Sequence, residues 1–187
     1  MSGQQPATGK ALLVIDMQKD LCYDPRRRDK VKEMLDSLLM AIDLFSSAGF
    51  PIFYCYFSLP PDDSQFERFG DKYCIEGTAG AGIIPELLPL NGIAIEKRKH
   101  SAFFETPLDG YLKEMDVKEV YLSGLQTQIC IMTTAADASF RGYEPIVISD
   151  CVVSTREEKK RYALDWIAQY VGVVRSLEEI VKEFRHE

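Results

Sequence analysis

The feature that most constrains this chain is a repeated alternation. Short, continuously apolar runs recur at 11–15, 51–57, 92–96, 120–122, 145–148 and 173–174, and most are separated by stretches with helical periodicity. A continuous apolar run of this length is the pattern of a strand covered on both faces, as in a parallel sheet. Between the first two runs, Met34, Leu35, Leu38, Leu39, Ile42 and Phe45 form a helical stripe that stops at Ser46-Ser47-Ala48-Gly49. Thr106-Pro107 predicts a helix start, with Leu108, Leu112 and Met115 on its apolar face. Ser154 with Glu157, or Thr155 with Glu158, predicts a capping box for a helix to about Tyr170, and Ser176 with Glu179 predicts another. A short helix is expected over 85–90 and a long functional loop over 58–82. Strands and helices in this order imply an α/β sandwich with a mostly parallel sheet. With 187 residues, no internal repeat and no linker, a single domain over 1–187 is expected, its first ten residues loose.

Composition narrows the function classes. Hydrophobic residues make up 46% and charged ones 27%, a globular balance that fits neither disorder nor a membrane protein. No apolar run approaches about 18 residues and the first ten are polar, so a soluble, cytoplasmic protein is expected, with no membrane partner. The formal charge of −7 argues against a nucleic-acid partner. Arg26-Arg27-Arg28 is read as a solvated loop before a helix. The five cysteines are odd in number and form no C-x-x-C pair, so neither a disulfide framework nor a thiol zinc site is suggested. Only His100 and His186 are available, which rules out a histidine-rich metal site; a Cys-His hydrolase would have to use His100.

In parallel α/β sheets, ligands sit beyond the carboxyl ends of the strands. Three chemically capable residues fall there: Asp16 after the first strand, Lys97 after the third and Cys130 after the fourth. Cys130 opens a helix six residues past Gly124, where unpaired N–H groups and the helix dipole would lower the thiol pKa. Cys130 is thus a candidate nucleophile, Asp16 a base and Lys97 a cation; the bland alternative for Cys130 is a buried structural thiol. Gln18 and Thr127 are expected to support the site, and Asp137 and Asp150 to be structural hydrogen-bonders.

Three stretches, Ala11 through Asp20, Lys97-Arg98-Lys99-His100-Ser101-Ala102-Phe103-Phe104, and Gly124 through Cys130 with Thr134-Ala135-Ala136-Asp137-Ala138, resemble the isochorismatase-like cysteine hydrolases. The resemblance implies a three-layer αβα sandwich with a six-stranded sheet, a catalytic triad of Asp16, Lys97 and Cys130, and a cis peptide between Leu125 and Gln126. It also implies an oxyanion hole from the backbone N–H groups of Gln126 and Cys130, no cofactor, and a homo-oligomer. Nicotinamidases of the family carry metal ligands where this chain has Phe57, Leu59 and Tyr73, so no metal is expected. Siderophore-type isochorismatases place glycine where Cys130 stands, so the thiol favours hydrolysis of a small-molecule amide or ureido C–N bond. Phe57, Tyr73, Arg98, His100 and Gln126 are the expected substrate contacts. A vinyl-ether hydrolase of the isochorismatase type and a catalytically silent oligomeric binding protein stay open as alternatives.

Overall fold

The computed structural model describes residues 9–185. Its six strands form one sheet, parallel throughout, in the order β3-β2-β1-β4-β5-β6. They are β1 (Lys10–Ile15), β2 (Ile52–Phe57), β3 (Ile93–Lys97), β4 (Glu119–Leu125), β5 (Glu144–Val153) and β6 (Val173–Arg175). The helices are α1 (Lys19–Cys22), α2 (Arg28–Ser47), α3 (Gln65–Phe69), α4 (Leu108–Glu114), α5 (Met132–Phe140), α6 (Glu157–Tyr170) and α7 (Leu177–Phe184). Successive residues of a strand face opposite sides, yet all six of β1 are buried, so helices must cover both faces and the result is the three-layer sandwich.

α2 buries Val31, Met34, Leu38, Ala41 and Phe45 on one stripe and exposes Met40 on the other. It stops at Gly49, whose φ of 78° only glycine adopts freely, with the Phe50 N–H returning 2.9 Å to the Phe45 carbonyl. Phe45 is fully buried against Phe50, Tyr121 and Phe184, ring centroids 4.9–6.0 Å away. Truncating such a ring to alanine costs about 3–5 kcal/mol, so this end of the core anchors α2 to the sheet.

Several expectations change in detail. β5 continues to Val153, so Asp150 lies inside the strand, where its Oδ2 accepts from the Leu177 N–H at 2.6 Å and anchors α7. Ser176 and Glu179 form the expected reciprocal box. The box expected for α6 does not form: Ser154 is buried at the β5 tip and its Oγ accepts from Arg156 N–H, at 3.3 Å, one residue ahead of the helix. The 58–82 loop holds α3 and a single 3₁₀ turn, Ala79–Ala81, and another turn, Pro85–Leu87, replaces the helix expected over 85–90. Lys10, placed by sequence in a loose terminus, is a buried β1 residue paired with Glu183 at 3.2 Å; residues 1–8 and His186 lie outside the described residues. Among the described residues no helix is long and apolar enough to cross a membrane.

The strand order reverses at β1, which has β2 on one side and β4 on the other, so a crevice opens between the tips of β1 and β4. There Gly124 pairs with Ile15, at a φ of 106°; a Cβ on Gly124 would lie 2.0 Å from the Ile15 carbonyl oxygen. Only glycine lets β4 pass this close and turn into the segment that carries Cys130.

Candidate active site

The three strand-tip residues converge. Asp16 follows β1 directly at a φ of 57°, a conformation that costs most side chains energy but that Asp tolerates. Its N–H donates to the Cys55 carbonyl and its own carbonyl accepts from Gln18 N–H, both at 2.8 Å, so the backbone on each side fixes the carboxyl. Lys97 ends β3, and its Nζ lies 3.0 Å from Asp16 Oδ1, 3.1 Å from Oδ2, 3.2 Å from the Lys99 carbonyl and 3.9 Å from Cys130 Sγ. Asp16 and Lys97 are each 1% exposed and Cys130 5%. The ammonium touches Asp16 Oδ1 as an ion pair but not along a hydrogen-bonding direction, and that oxygen has no hydrogen-bond donor among the described residues.

β4 ends at Leu125, and the Leu125–Gln126 peptide is cis, as the resemblance implied. Thr127–Ile131 then form one π-helical turn that runs into α5, and the Gln126 carbonyl accepts from both Ile129 N–H (2.9 Å) and Ile131 N–H (3.3 Å). Cys130 therefore sits within this wide turn rather than opening an α-helix. Single π-turns of this kind are frequent at functional sites.

The electrostatics correct one expectation. Burial, with the negative Asp16 carboxylate next in weight, pushes the Cys130 thiol well above its ordinary value, although Lys97 and the Gln126 N–H act in the other direction. Desolvation outweighs the helix-terminus effect expected from sequence, because the sulfur has almost no contact with water. Burial likewise raises Asp16 despite Lys97, and Asp16 and Cys130 hold Lys97 above its ordinary value against burial. Burial thus favours the neutral thiol, and it opposes the charge on Asp16, which Lys97 favours. His100 Nδ1 is 3.7 Å from Sγ; burial first, then Lys97 and Lys99, lower its pKa, so the imidazole is neutral at pH 7.

Asp16, Cys130 and His100 line the inner end of a cleft of about 510 Å³, with Lys97 behind them. Phe57, Tyr73, His100 and Gln126 line it. Arg98 does not. β3 turns Lys97 inward and leaves the next side chain exposed, and the Arg98 carbonyl accepts from Gln65 Nε2 at 2.9 Å. The cations that do line the cleft are Arg26, Arg27, Lys72 and Lys159, none of them foreseen. Arg27, read as solvated, is 5% exposed: Nε donates to the Leu21 carbonyl and Nη2 meets Asp24 Oδ2 at 3.2 Å. The carboxylate three residues before it was the one sequence signal available. Gln128, also missed, lines the cleft and donates from Nε2 to Gln126 Oε1 at 3.2 Å.

Gln18 supports the site as expected. Its Nε2 donates to the Phe57 carbonyl (2.7 Å) and its Oε1 accepts from the Phe57 N–H (2.8 Å). Asp137 accepts from Ser101 Oγ (2.6 Å) and Arg141 Nε (2.9 Å), away from the sulfur. Leu59 is fully buried, and among the described residues no group of three or more His, Cys, Asp or Glu is placed to hold a metal ion.

Comparison with known proteins agrees with this fold. The Isochorismatase domain family profile matches residues 10–179. Nicotinamidase 3 of Arabidopsis thaliana is 32% identical over 154 residues, 79% of this chain and 75% of that protein. YaaI, an isochorismatase family protein of Bacillus subtilis, is 26% identical over 177 residues, 93% of this chain and 97% of that protein. The crystal structure of N-carbamoylsarcosine amidase from Thermoplasma acidophilum superposes with a TM-score of 0.80 at 29% identity, covering 90% of this chain and 96% of that one. A match that spans the whole sheet, with an acid, an ammonium and a thiol meeting at its switch point, means that this chain belongs to the isochorismatase-like hydrolase family.

Proposed function

We propose that this protein is a cysteine-dependent amidohydrolase that cleaves an amide or ureido C–N bond of a small molecule through a thioester. The observation that carries the reading is the contact set at the cleft floor, with Lys97 Nζ 3.0 Å from Asp16 and 3.9 Å from Cys130 Sγ. Asp16 accepts the thiol proton as sulfur attacks the carbonyl carbon. The Lys97 charge stabilises the thiolate as it forms. The backbone N–H groups of Gln126 and Cys130 stabilise the tetrahedral oxyanion. Collapse breaks the C–N bond, and Asp16 returns its proton to the departing nitrogen. Water then attacks the thioester carbon, giving its proton to Asp16, and the C–S bond breaks as sulfur regains a proton. A raised Asp16 pKa makes the carboxylate a stronger base toward the thiol than an ordinary aspartate.

A vinyl-ether hydrolysis by protonation would make no use of the thiol, and the names of the nicotinamidase and amidase relatives favour C–N chemistry. The test is ammonia release from a panel of N-carbamoyl amino acids, ureido compounds, nicotinamide and simple amides, comparing the native protein with Cys130→Ala. At least one amide turned over by the native protein alone is the expected result. Turnover unchanged in Cys130→Ala would remove the thioester. Turnover of nicotinamide without added metal would show that Phe57, Leu59 and Tyr73, standing where nicotinamidases carry metal ligands, do not exclude that substrate, while leaving the triad.

A further inference from the structure

The hydrolysis proposed above needs Lys97 to stay charged although it is only 1% exposed, and Asp16 supplies only part of what that requires. A buried ammonium loses its hydration, and here two oxygen partners replace it, the Asp16 carboxylate and the Lys99 carbonyl. On another side lies the face of Phe57, its ring centroid 3.3 Å from Nζ. Phe57 is 2% exposed, and the ring face toward Lys97 is occupied by the ammonium.

The ring is fixed from several directions. Phe57 and Lys97 are register partners in the β2–β3 pair, which places their side chains on one face of the sheet. The backbone N–H and carbonyl of Phe57 are both held by the Gln18 side chain. The Tyr73 and His100 rings stand nearly perpendicular to it, each 5.9 Å away, at 77° and 87°. A ring face is electron-rich and attracts a cation, most strongly where both are desolvated.

We propose that Phe57 is a positioning residue for Lys97: its ring face, clamped by Gln18, holds the ammonium charged and aimed between Asp16 and Cys130. The inference rests on the amidohydrolase reading for its purpose, but its test does not need turnover. The other titratable or charged groups around the ammonium are Asp16 after β1, Cys55 in β2, Cys130 in the π-turn, Lys99 and His100 after β3, and Tyr73 behind the ring.

The experiment replaces Phe57 in the full-length protein with phenylalanines bearing one, two or three ring fluorines, which keep the shape and progressively weaken the face. Phe57→Leu serves as the end point. In protein carrying ¹³C-lysine, with Lys97→Arg identifying the resonance, the Lys97 Cε signal is titrated with pH. The expected result is a midpoint that moves to lower pH stepwise with each fluorine, the hold on the proton weakening about tenfold in Phe57→Leu. A packing role alone would not grade with fluorination. A midpoint unmoved across the fluorinated series overturns the proposal, and that series decides even where Phe57→Leu fails to fold. Should the midpoint move in a protein that turns over no amide, the amidohydrolase reading falls and this one stands.

Discussion

At the inner end of the cleft the ionisable groups stand at strand tips, whereas at its rim they come from loops and the start of a helix. Asp16 and Lys97 are each 1% exposed and close on one another. At the rim, the Arg26 side chain is 61% exposed and pairs with Asp24 at 2.6 Å and with Asp71 at 3.3 Å. Exposed pairs like the latter contribute about 0–1 kcal/mol, whereas breaking a buried pair costs about 3–5 kcal/mol. The inner end is therefore held rigidly, and the proposed chemistry is placed there. The rim can change charge at little cost in stability, and is where recognition of the outer part of a substrate would be set.

If that contrast is right, the largest effects come from the inner end. Cys130→Ala lowers kcat by about 10⁴-fold or more and Asp16→Asn by about 10³-fold, with the fold intact by circular dichroism. Equal, modest losses from these two and from rim variants would erase the distinction. Next comes Lys97→Met, with a loss of about 10²-fold or more. Lys97 opposes the burial that raises Asp16, so removing it raises the Asp16 pKa further. The base must be ionised to accept the thiol proton, and activity is lost as pH falls through its folded pKa. The acid limb of kcat/KM in Lys97→Met therefore moves to higher pH, and an unmoved limb would mean that Asp16 is not the base.

Arg27→Met sharpens the comparison, because Arg27 is the one rim cation that is buried. Asp24 keeps Arg26 as a partner, so the loss is that of a charged hydrogen bond to the Leu21 carbonyl, about 1.5–3 kcal/mol, read as a lower urea midpoint. Arg98→Ala lies at the bottom of the scale: stability within about 0.5 kcal/mol and KM within about twofold, since the side chain is exposed outside the cleft. A large rise in KM there would return Arg98 to the substrate contacts.

The same contrast governs what could be read from the sequence. Asp16, Lys97 and Cys130 were legible because apolar runs give strands, strands separated by helices give a parallel sheet, and such sheets gather ligands at their carboxyl ends. Arg27 was not, because a loop arginine looks solvated until tertiary structure brings the Leu21 carbonyl to it. Nor was the direction of the Cys130 shift, since a terminus is visible in sequence but the water excluded around it is not. The π-turn over Thr127–Ile131 leaves no periodic signal in five residues. Phe57 was read as a substrate contact because its position at the tip of β2 was legible, while the Lys97 ammonium lying on its ring face was not.

The central claim is that carbon bonds transiently to Cys130 during hydrolysis of an amide. The most direct test is rapid acid quench of the native protein with the amide it turns over fastest, followed by peptide mass analysis across the first turnovers. The account predicts a peptide containing Cys130 heavier by the acyl group, appearing with the first ammonia released and discharged as substrate runs out. Continued turnover with that peptide unmodified at every time point, or with the acyl group on another residue, would contradict it.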